Sequence, residues 1–221
     1  MSKGKRYYAV VRGFHPGIYN SWKKCKQEID GFGGARFKGF YTLEEAQSFI
    51  DDFNNSQYKQ VDSMDGFEHI IYTDGGFRSS VNLGAYAWSY YNSETGLIQS
   101  GKRAVPDTTN QIMELTALYS ALNHYKNLSD EKLLIVSDSR YVINIFALQW
   151  VDSWVKNGWK RGKYPVKNQQ IIKPLYELVK SFKDLSFMWV KGHSYTLGNN
   201  RVDLLVNQAM DEYQEKKGIN L

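Results

Sequence analysis

The sequence predicts an α/β fold, a mixed sheet with helices packed on its faces, preceded by a small α+β module. Three observations carry this. Over residues 68–215 the strand-like and helix-like runs come in the order βββαβα and then, after an insertion, βα, which is the pattern of a sheet covered by helices. The charge is unevenly placed: residues 1–50 hold nine Lys and Arg against four Asp and Glu, which accounts for the whole net charge of +5. Between these regions, 53–66 is polar and without clear periodicity, which reads as a linker. The expected organisation is therefore a module at 1–52, a linker at 53–66 and a larger domain at 67–216.

Within the module, Tyr7–Arg12 reads as a strand, and Gly13, Pro16 and Gly17 mark a turn. Trp22, Cys25 and Ile29 are spaced to share one face of a helix. Gly31, Gly33 and Gly34 break the chain before the run Arg36–Tyr41. Thr42 followed three residues later by Glu45 is a capping box that starts a second helix. About 50 residues is a marginal size for a core on its own.

In the larger region, His69–Thr73 reads as a strand ending at Asp74. Residues 84–91 and 96–105 read as two strands joined by a turn near Asn92 to Gly96. An amphipathic helix over 110–126 places Leu115, Leu118 and Leu122 on one face. Lys132–Val136 is a buried strand leading to Ser137 and Asp138, followed by helical residues 139–148. A further helix over 168–182, a strand over 185–191 and a last helix over 200–215 complete the order.

No stretch approaches the roughly 18 apolar residues that span a bilayer, and the basic start Lys3-Gly4-Lys5-Arg6 is not followed by the apolar run of a secretory signal. The single cysteine, Cys25, makes neither an internal disulfide nor a thiolate cage. A cytoplasmic location is expected, or a nuclear one in a cell with a nucleus. A basic head on a neutral body points to a polyanion ligand, although a solvated basic surface would show the same composition.

Four carboxylates carry the chemistry. Asp74 and Asp138 are each placed at the carboxyl end of a strand, where ligands of open α/β sheets gather. Glu114 lies in the first turns of its helix, and Asp203 is expected to open the last one after the polar turn Gly198-Asn199-Asn200. Brought together, four carboxylates repel one another, and hard divalent cations such as magnesium or manganese remove that cost. Each residue taken singly reads more readily as a strand-end or helix-start cap than as a catalytic group.

The segments Tyr72-Thr73-Asp74-Gly75-Gly76, Thr109 to Leu115, Val136-Ser137-Asp138-Ser139, Trp189-Val190-Lys191-Gly192-His193 and Asn199 to Asp203 resemble, in order, the signature segments of type-1 ribonucleases H. The resemblance covers about residues 68–212 and implies a five-stranded mixed sheet flanked by helices. It also implies an endonuclease that hydrolyses the RNA strand of RNA–DNA hybrids by two-metal-ion catalysis, leaving 5′-phosphate and 3′-hydroxyl ends. On it, Asp74, Glu114, Asp138 and Asp203 hold two Mg2+ ions, with Mn2+ as an alternative, and His193 aids proton transfer or product release. Asn110 and Gln111 match a pair that reads the RNA minor groove, which suits amides facing a ribose 2′-hydroxyl. Thr109 and Asn168 match positions that grip a DNA-strand phosphate, while Gly75 and Ser139 lie along the substrate beside their aspartates. Residues 150–163 interleave Trp150, Trp154 and Trp159 with Lys156, Lys160, Arg161 and Lys163, and resemble the family's basic protrusion. There Trp154 would pack on sugar and the cations, Lys160 among them, would face phosphates. An amphipathic helix with tryptophans in the core is the plain structural reading.

The module resembles the hybrid-binding domain that precedes the catalytic domain in many relatives, through Tyr7 to Gly13, Trp22 and Ala35-Arg36-Phe37-Lys38. That implies that Tyr8, Trp22 and Phe37 meet the DNA sugar–phosphate chain and that Arg36 and Lys38 meet phosphates. Double-stranded RNA is a second ligand this module would admit. A monomer without membrane contact is expected. Two positions depart from the pattern: Gly39 and Asn200 stand where many relatives carry a basic and an acidic residue respectively. Two other classes fit in part. A hybrid or double-stranded RNA binder with a degenerate nuclease fold would not need four intact carboxylates. A strand-transfer enzyme of the integrase type lacks the Trp-Val-Lys-Gly-His segment and the protrusion.

Overall fold

The computed structural model describes residues 5–32, 35–54, 58–192 and 197–218. The chain divides into two compact units, Met1–Ser56 and Gln57–Leu221.

The first unit is built from β1 (Tyr7–Arg12), β2 (Gly17–Tyr19), α1 (Trp22–Ile29), β3 (Arg36–Phe40) and α2 (Leu43–Asn54). Its antiparallel sheet has the order β2-β1-β3. The Ser21 hydroxyl caps α1 by accepting from the Lys24 N–H at 3.3 Å. The capping box forms at α2: Glu45 N–H donates to the Thr42 hydroxyl at 3.1 Å, and Thr42 N–H donates to the Glu45 carboxylate at 3.2 Å. Ala9, Val10, Cys25 and Ala46 are fully buried and form the small core. The short β2 lies in what the sequence marks only as a turn, because three residues carry no readable alternation.

The second unit contains β4 (Tyr58–Gln60), β5 (His69–Arg78), β6 (Leu83–Asn92), β7 (Gly96–Pro106), α3 (Asn110–His124), β8 (Lys132–Ser137), α4 (Arg140–Ala147), α5 (Trp150–Lys156), β9 (Lys160–Arg161), β10 (Tyr164–Pro165), α6 (Gln169–Lys180), β11 (Asp184–Trp189) and α7 (Leu197–Lys217). The main sheet has the order β4-β11-β8-β5-β6-β7, and β9 and β10 form a separate ribbon. β11, β8 and β5 run parallel, while β5, β6 and β7 form an antiparallel meander.

Both faces of the sheet are covered. Leu133 and Ile135 of β8 face a core made with Leu115, Leu118 and Leu122 of α3 and Phe146 of α4. Leu134 and Val136, one residue out of phase, face Val202, Val206 and Met210 of α7. This explains why the central parallel strand reads as one unbroken apolar run. Truncating one of these side chains to Ala costs about 2–5 kcal/mol.

Three sequence expectations are corrected. The stretch 53–66 is not all linker: α2 runs to Asn54, and Tyr58–Gln60 pairs in parallel with Leu185–Phe187 of β11 as a sixth, edge strand. That pairing uses the backbone and a partner far along the chain, so three polar residues gave no local sign of it. β5 does not end at Asp74 but continues to Arg78, paired with β6 throughout. α7 begins at Leu197, so Asp203 stands in its second turn and not at its start.

Candidate active site

The sheet register sets the first two carboxylates. The last parallel pair between β5 and β8 is Tyr72 with Val136. Asp74 and Asp138 each stand two residues beyond that pair, so neighbouring strands bring them side by side at one end of the parallel region. Adjacent strands lie roughly 4.8 Å apart. β5 runs on only along its antiparallel partner, which leaves the Asp138 side of Asp74 open.

Glycine supplies the third. A Cβ on Gly75 would fall on the Glu114 backbone nitrogen and against the neighbouring Met113 carbonyl carbon. α3 therefore seats its first turns directly on β5 and carries Glu114 to the site. Gly76 admits α7 in the same way, since a Cβ there would lie 2.6 Å from Val206 Cγ1. The pair does not mark a strand end; it marks where helices on both sides approach the strand. The chain also passes over Asp138: a Cβ on Gly192 would lie 3.0 Å from Asp138 Oδ2.

The Glu114 carboxylate is held at both oxygens, accepting from Ser139 Oγ at 2.6 Å and from Asn110 Nδ2 at 2.9 Å. Burial raises its pKa, the Ser139 hydrogen bond opposes that, the Asp138 charge raises it further, and the Asn110 hydrogen bond lowers it. Asp74 is pushed up to about 7, chiefly by burial and next by the Asp138 charge, with Asp203 and Glu114 adding to it. The Gly75 N–H, donating to Asp74 Oδ1 at 2.8 Å, opposes the rise. Four carboxylates from β5, α3, the end of β8 and α7 thus share one field. Their chemistry fits a hard divalent cation, because the donors are oxygens only and their shared cost is excess negative charge. Among the described residues no group of three or more His, Cys, Asp or Glu is already arranged as a metal cage.

Several other expected residues gather here. Ser139 caps α4, accepting from Val142 N–H at 3.3 Å while its hydroxyl serves Glu114. Thr109 caps α3, accepting from Ile112 N–H at 3.4 Å. Asn168 is buried in the left-handed region at φ +59° and donates to Gln111 Oε1 at 3.4 Å, so two residues assigned to opposite strands of a substrate meet each other. His193 lies outside the described residues. Sequence reasoning missed three supports. The Trp189 indole donates to the Asp138 carbonyl at 2.9 Å, the Arg140 guanidinium lies 3.6 Å over the Trp189 ring, and Tyr141 is hydrogen-bonded to Asn168. Trp189 belongs to the Trp-Val-Lys-Gly-His segment; Arg140 and Tyr141 carry no sequence signal beyond following Asp138.

The stretch that resembles a basic protrusion folds as α5 and the β9–β10 ribbon. Lys160, Arg161 and Lys163 are exposed, whereas Trp154 and Trp159 pack against the core and Trp150 is exposed. Trp154 is therefore shared between core edge and surface.

In the first unit, Tyr8, Trp22 and Phe37 form a continuous row, with ring centroids 5.6 Å and 5.5 Å apart. Trp22 and Phe37 remain 46% and 39% exposed, so the row is displayed and not enclosed. Arg36 has a different place from the one expected: its guanidinium lies 5.6 Å and 5.4 Å from the Phe49 and Phe53 rings of α2. Strand alternation explains this, since residues 36 and 37 point to opposite faces. Lys38 is exposed, its ammonium 5.4 Å from the Phe40 ring.

Residues 67–211 match the RNase H family profile, and residues 6–50 match the profile described as the Ribonuclease H1 N-terminal domain. The chain is 44% identical over 148 residues to Ribonuclease H of Clostridium botulinum, covering 65% of this chain and 96% of that protein. It is 28% identical over 266 residues to Ribonuclease H1 of Mus musculus, covering 95% of this chain and 90% of that one. In fold, the solution structure of the PFV RNase H domain is similar at a TM-score of 0.59 and 23% identity, covering 67% of this chain and 98% of that one.

Proposed function

The chain belongs to the ribonuclease H family, and from that premise we propose that it is an endonuclease hydrolysing the RNA strand of RNA–DNA hybrids, leaving 5′-phosphate and 3′-hydroxyl ends. The observation that carries the reading is the shared field at Asp74, where burial and the charges of Asp138, Asp203 and Glu114 together raise its pKa to about 7. Asp74, Glu114, Asp138 and Asp203 would hold two magnesium ions, or manganese. Such ions activate a water and stabilise the leaving oxygen of a phosphodiester.

The chain's own residues do the rest. Ser139 and Asn110 fix the Glu114 carboxylate, and the Trp189 hydrogen bond steadies the turn that bears Asp138. Asn110 and Gln111 read the RNA minor groove. Thr109 and Asn168 take a DNA-strand phosphate, with Gln111 released from Asn168 as substrate enters. Lys160 and its neighbours in the protrusion meet the DNA strand, and Gly75, buried beneath α3 and so not the substrate contact expected of it, seats Glu114 beside the cut. His193 assists proton transfer or product release. The N-terminal module adds affinity for hybrid through Tyr8, Trp22 and Phe37, whereas Lys38, expected beside them, stands on the opposite face of the sheet; double-stranded RNA is its alternative ligand. The protein works as a monomer in the cytoplasm, or in the nucleus of a cell that has one.

Asp138→Asn tests the assignment. An amide cannot replace the charge that anchors a cation, so cleavage of a labelled hybrid should fall below detection while hybrid affinity stays within about twofold. Near-native turnover of the variant in magnesium would overturn the catalytic reading.

A further inference from the structure

The aromatic row of the N-terminal module receives no cation from β3. Tyr8 pairs with Gly39 and Val10 with Phe37, so Tyr8, Phe37 and Gly39 share one face of the sheet. The cations of β3, Arg36 and Lys38, alternate to the other face, and Arg36 is engaged with Phe49 and Phe53. At Gly39, where a side chain would extend the row, there is instead a side chain from elsewhere. A Cβ built on Gly39 would lie 2.7 Å from Lys5 Cδ and 3.2 Å from Tyr8 Cε1. The aliphatic stem of Lys5 thus crosses Gly39 in contact range of the row, and the residue as a whole is exposed.

Its backbone is anchored to allow this. The Arg6 N–H donates to the Phe40 carbonyl at 2.9 Å, and the Tyr8 hydroxyl donates to the Lys5 carbonyl at 3.4 Å. Lysine is suited to the place, because its long apolar stem covers a glycine while the ammonium stays in water. Resting on the reading of this module as a nucleic-acid-binding unit, we propose that Lys5 supplies a backbone-phosphate contact at the Gly39 end of the Tyr8–Trp22–Phe37 row. The rings take the sugar faces, and the ammonium takes the phosphate next along the strand. Gly39 belongs to the same device, as the position whose missing side chain seats the lysine stem.

The test uses the full chain carrying Asp138→Asn, in EDTA, with a fluorescein-labelled 20-base-pair RNA–DNA hybrid. Affinity is measured by anisotropy between 50 and 200 mM salt. One phosphate contact contributes about 0.9 to the slope of log affinity against log salt on B-form DNA, taken here as the guide. Lys5→Ala should therefore reduce the affinity lost across that salt range by about threefold relative to the parent. Gly39→Ala should behave alike, since its methyl displaces a flexible stem, and adding Lys5→Ala to it should cost nothing further. Lys5→Ala with Gly39→Lys, which returns the charge from the strand itself, should restore the parental slope. Circular dichroism melts check that each variant is folded.

A Lys5→Ala slope equal to that of the parent overturns the proposal. Trp22→Ala then separates two causes. If it weakens binding, the module binds hybrid without Lys5. If it also leaves binding unchanged, the hybrid-binding reading of the module fails as well, while cleavage by the catalytic unit remains a separate measurement.

Discussion

Asp74→Asn should make the metal-free protein more stable at pH 8, although it removes a residue the activity needs. The Asp74 carboxyl is pushed up from 3.8 to about 7 by burial and by three neighbouring carboxylates. A raised pKa means that the folded state favours the protonated form. The favourable contribution is complete below about pH 4 and is lost as pH rises through 7. One unit corresponds to about 1.4 kcal/mol, so the full cost of ionising Asp74 in the folded state is about 4 kcal/mol above pH 8. Asparagine keeps the shape and an oxygen to accept from Gly75 N–H, and it carries no charge. Recovering half of that cost, about 2 kcal/mol, would raise the melting temperature by about 4–8 °C for a unit of this size. The assay is a circular dichroism melt of the full chain in EDTA at pH 8 and pH 4, for parent and variant. The gain should be present at pH 8 and absent at pH 4. Adding millimolar magnesium at pH 8 should stabilise the parent by mass action and leave the variant nearly unchanged. A variant equal to or less stable than the parent at pH 8 would refute the shared-field argument.

Gly75→Ala should destabilise the catalytic unit by about 1–3 kcal/mol, because its methyl meets the α3 backbone and not a movable side chain. It should also lower kcat by displacing Glu114; a stable variant with native kcat would show that α3 does not depend on this approach. His193→Ala should slow turnover by about a hundredfold, within the usual range for a general acid–base group, without abolishing it. Steady-state cleavage rates check this, and a loss as complete as that of Asp138→Asn would make His193 a ligand or a structural residue.

The sequence made the long elements legible because their periods are long. α3 shows its apolar face in Leu115, Leu118 and Leu122, and β8 is covered on both faces and so reads as continuous Leu, Ile and Val. The carboxylates were legible as residues but not in their placement. Gly75 and Gly76 look like the exit from a strand, while in the fold they are the points where α3 and α7 press against it. Asp203 looked like a helix start because Gly198 and the two asparagines read as a turn. Gly198 is instead helical and packs so tightly on Tyr72 that a Cβ would lie 2.3 Å from its ring. β4 was illegible, as its partner β11 lies more than a hundred residues away and a three-residue strand carries no readable alternation. In the N-terminal module, Tyr8, Trp22 and Phe37 adjoin one another, but the turn of Arg36 away from them depends on strand phase, which a list of basic residues does not reveal.

The central claim is that the four-carboxylate site cuts the RNA strand of a hybrid in a cation-dependent way. It is tested most directly by incubating the unaltered chain with an end-labelled RNA–DNA hybrid, the matching double-stranded RNA and the matching double-stranded DNA. Each is run with magnesium and with EDTA, and the products are mapped on a sequencing gel. The account predicts cleavage of the hybrid's RNA strand alone, only with magnesium, and products whose 3′ ends a polymerase extends without prior phosphatase treatment. Undiminished cleavage in EDTA, equal cleavage of double-stranded RNA, or an intact hybrid in magnesium would contradict it.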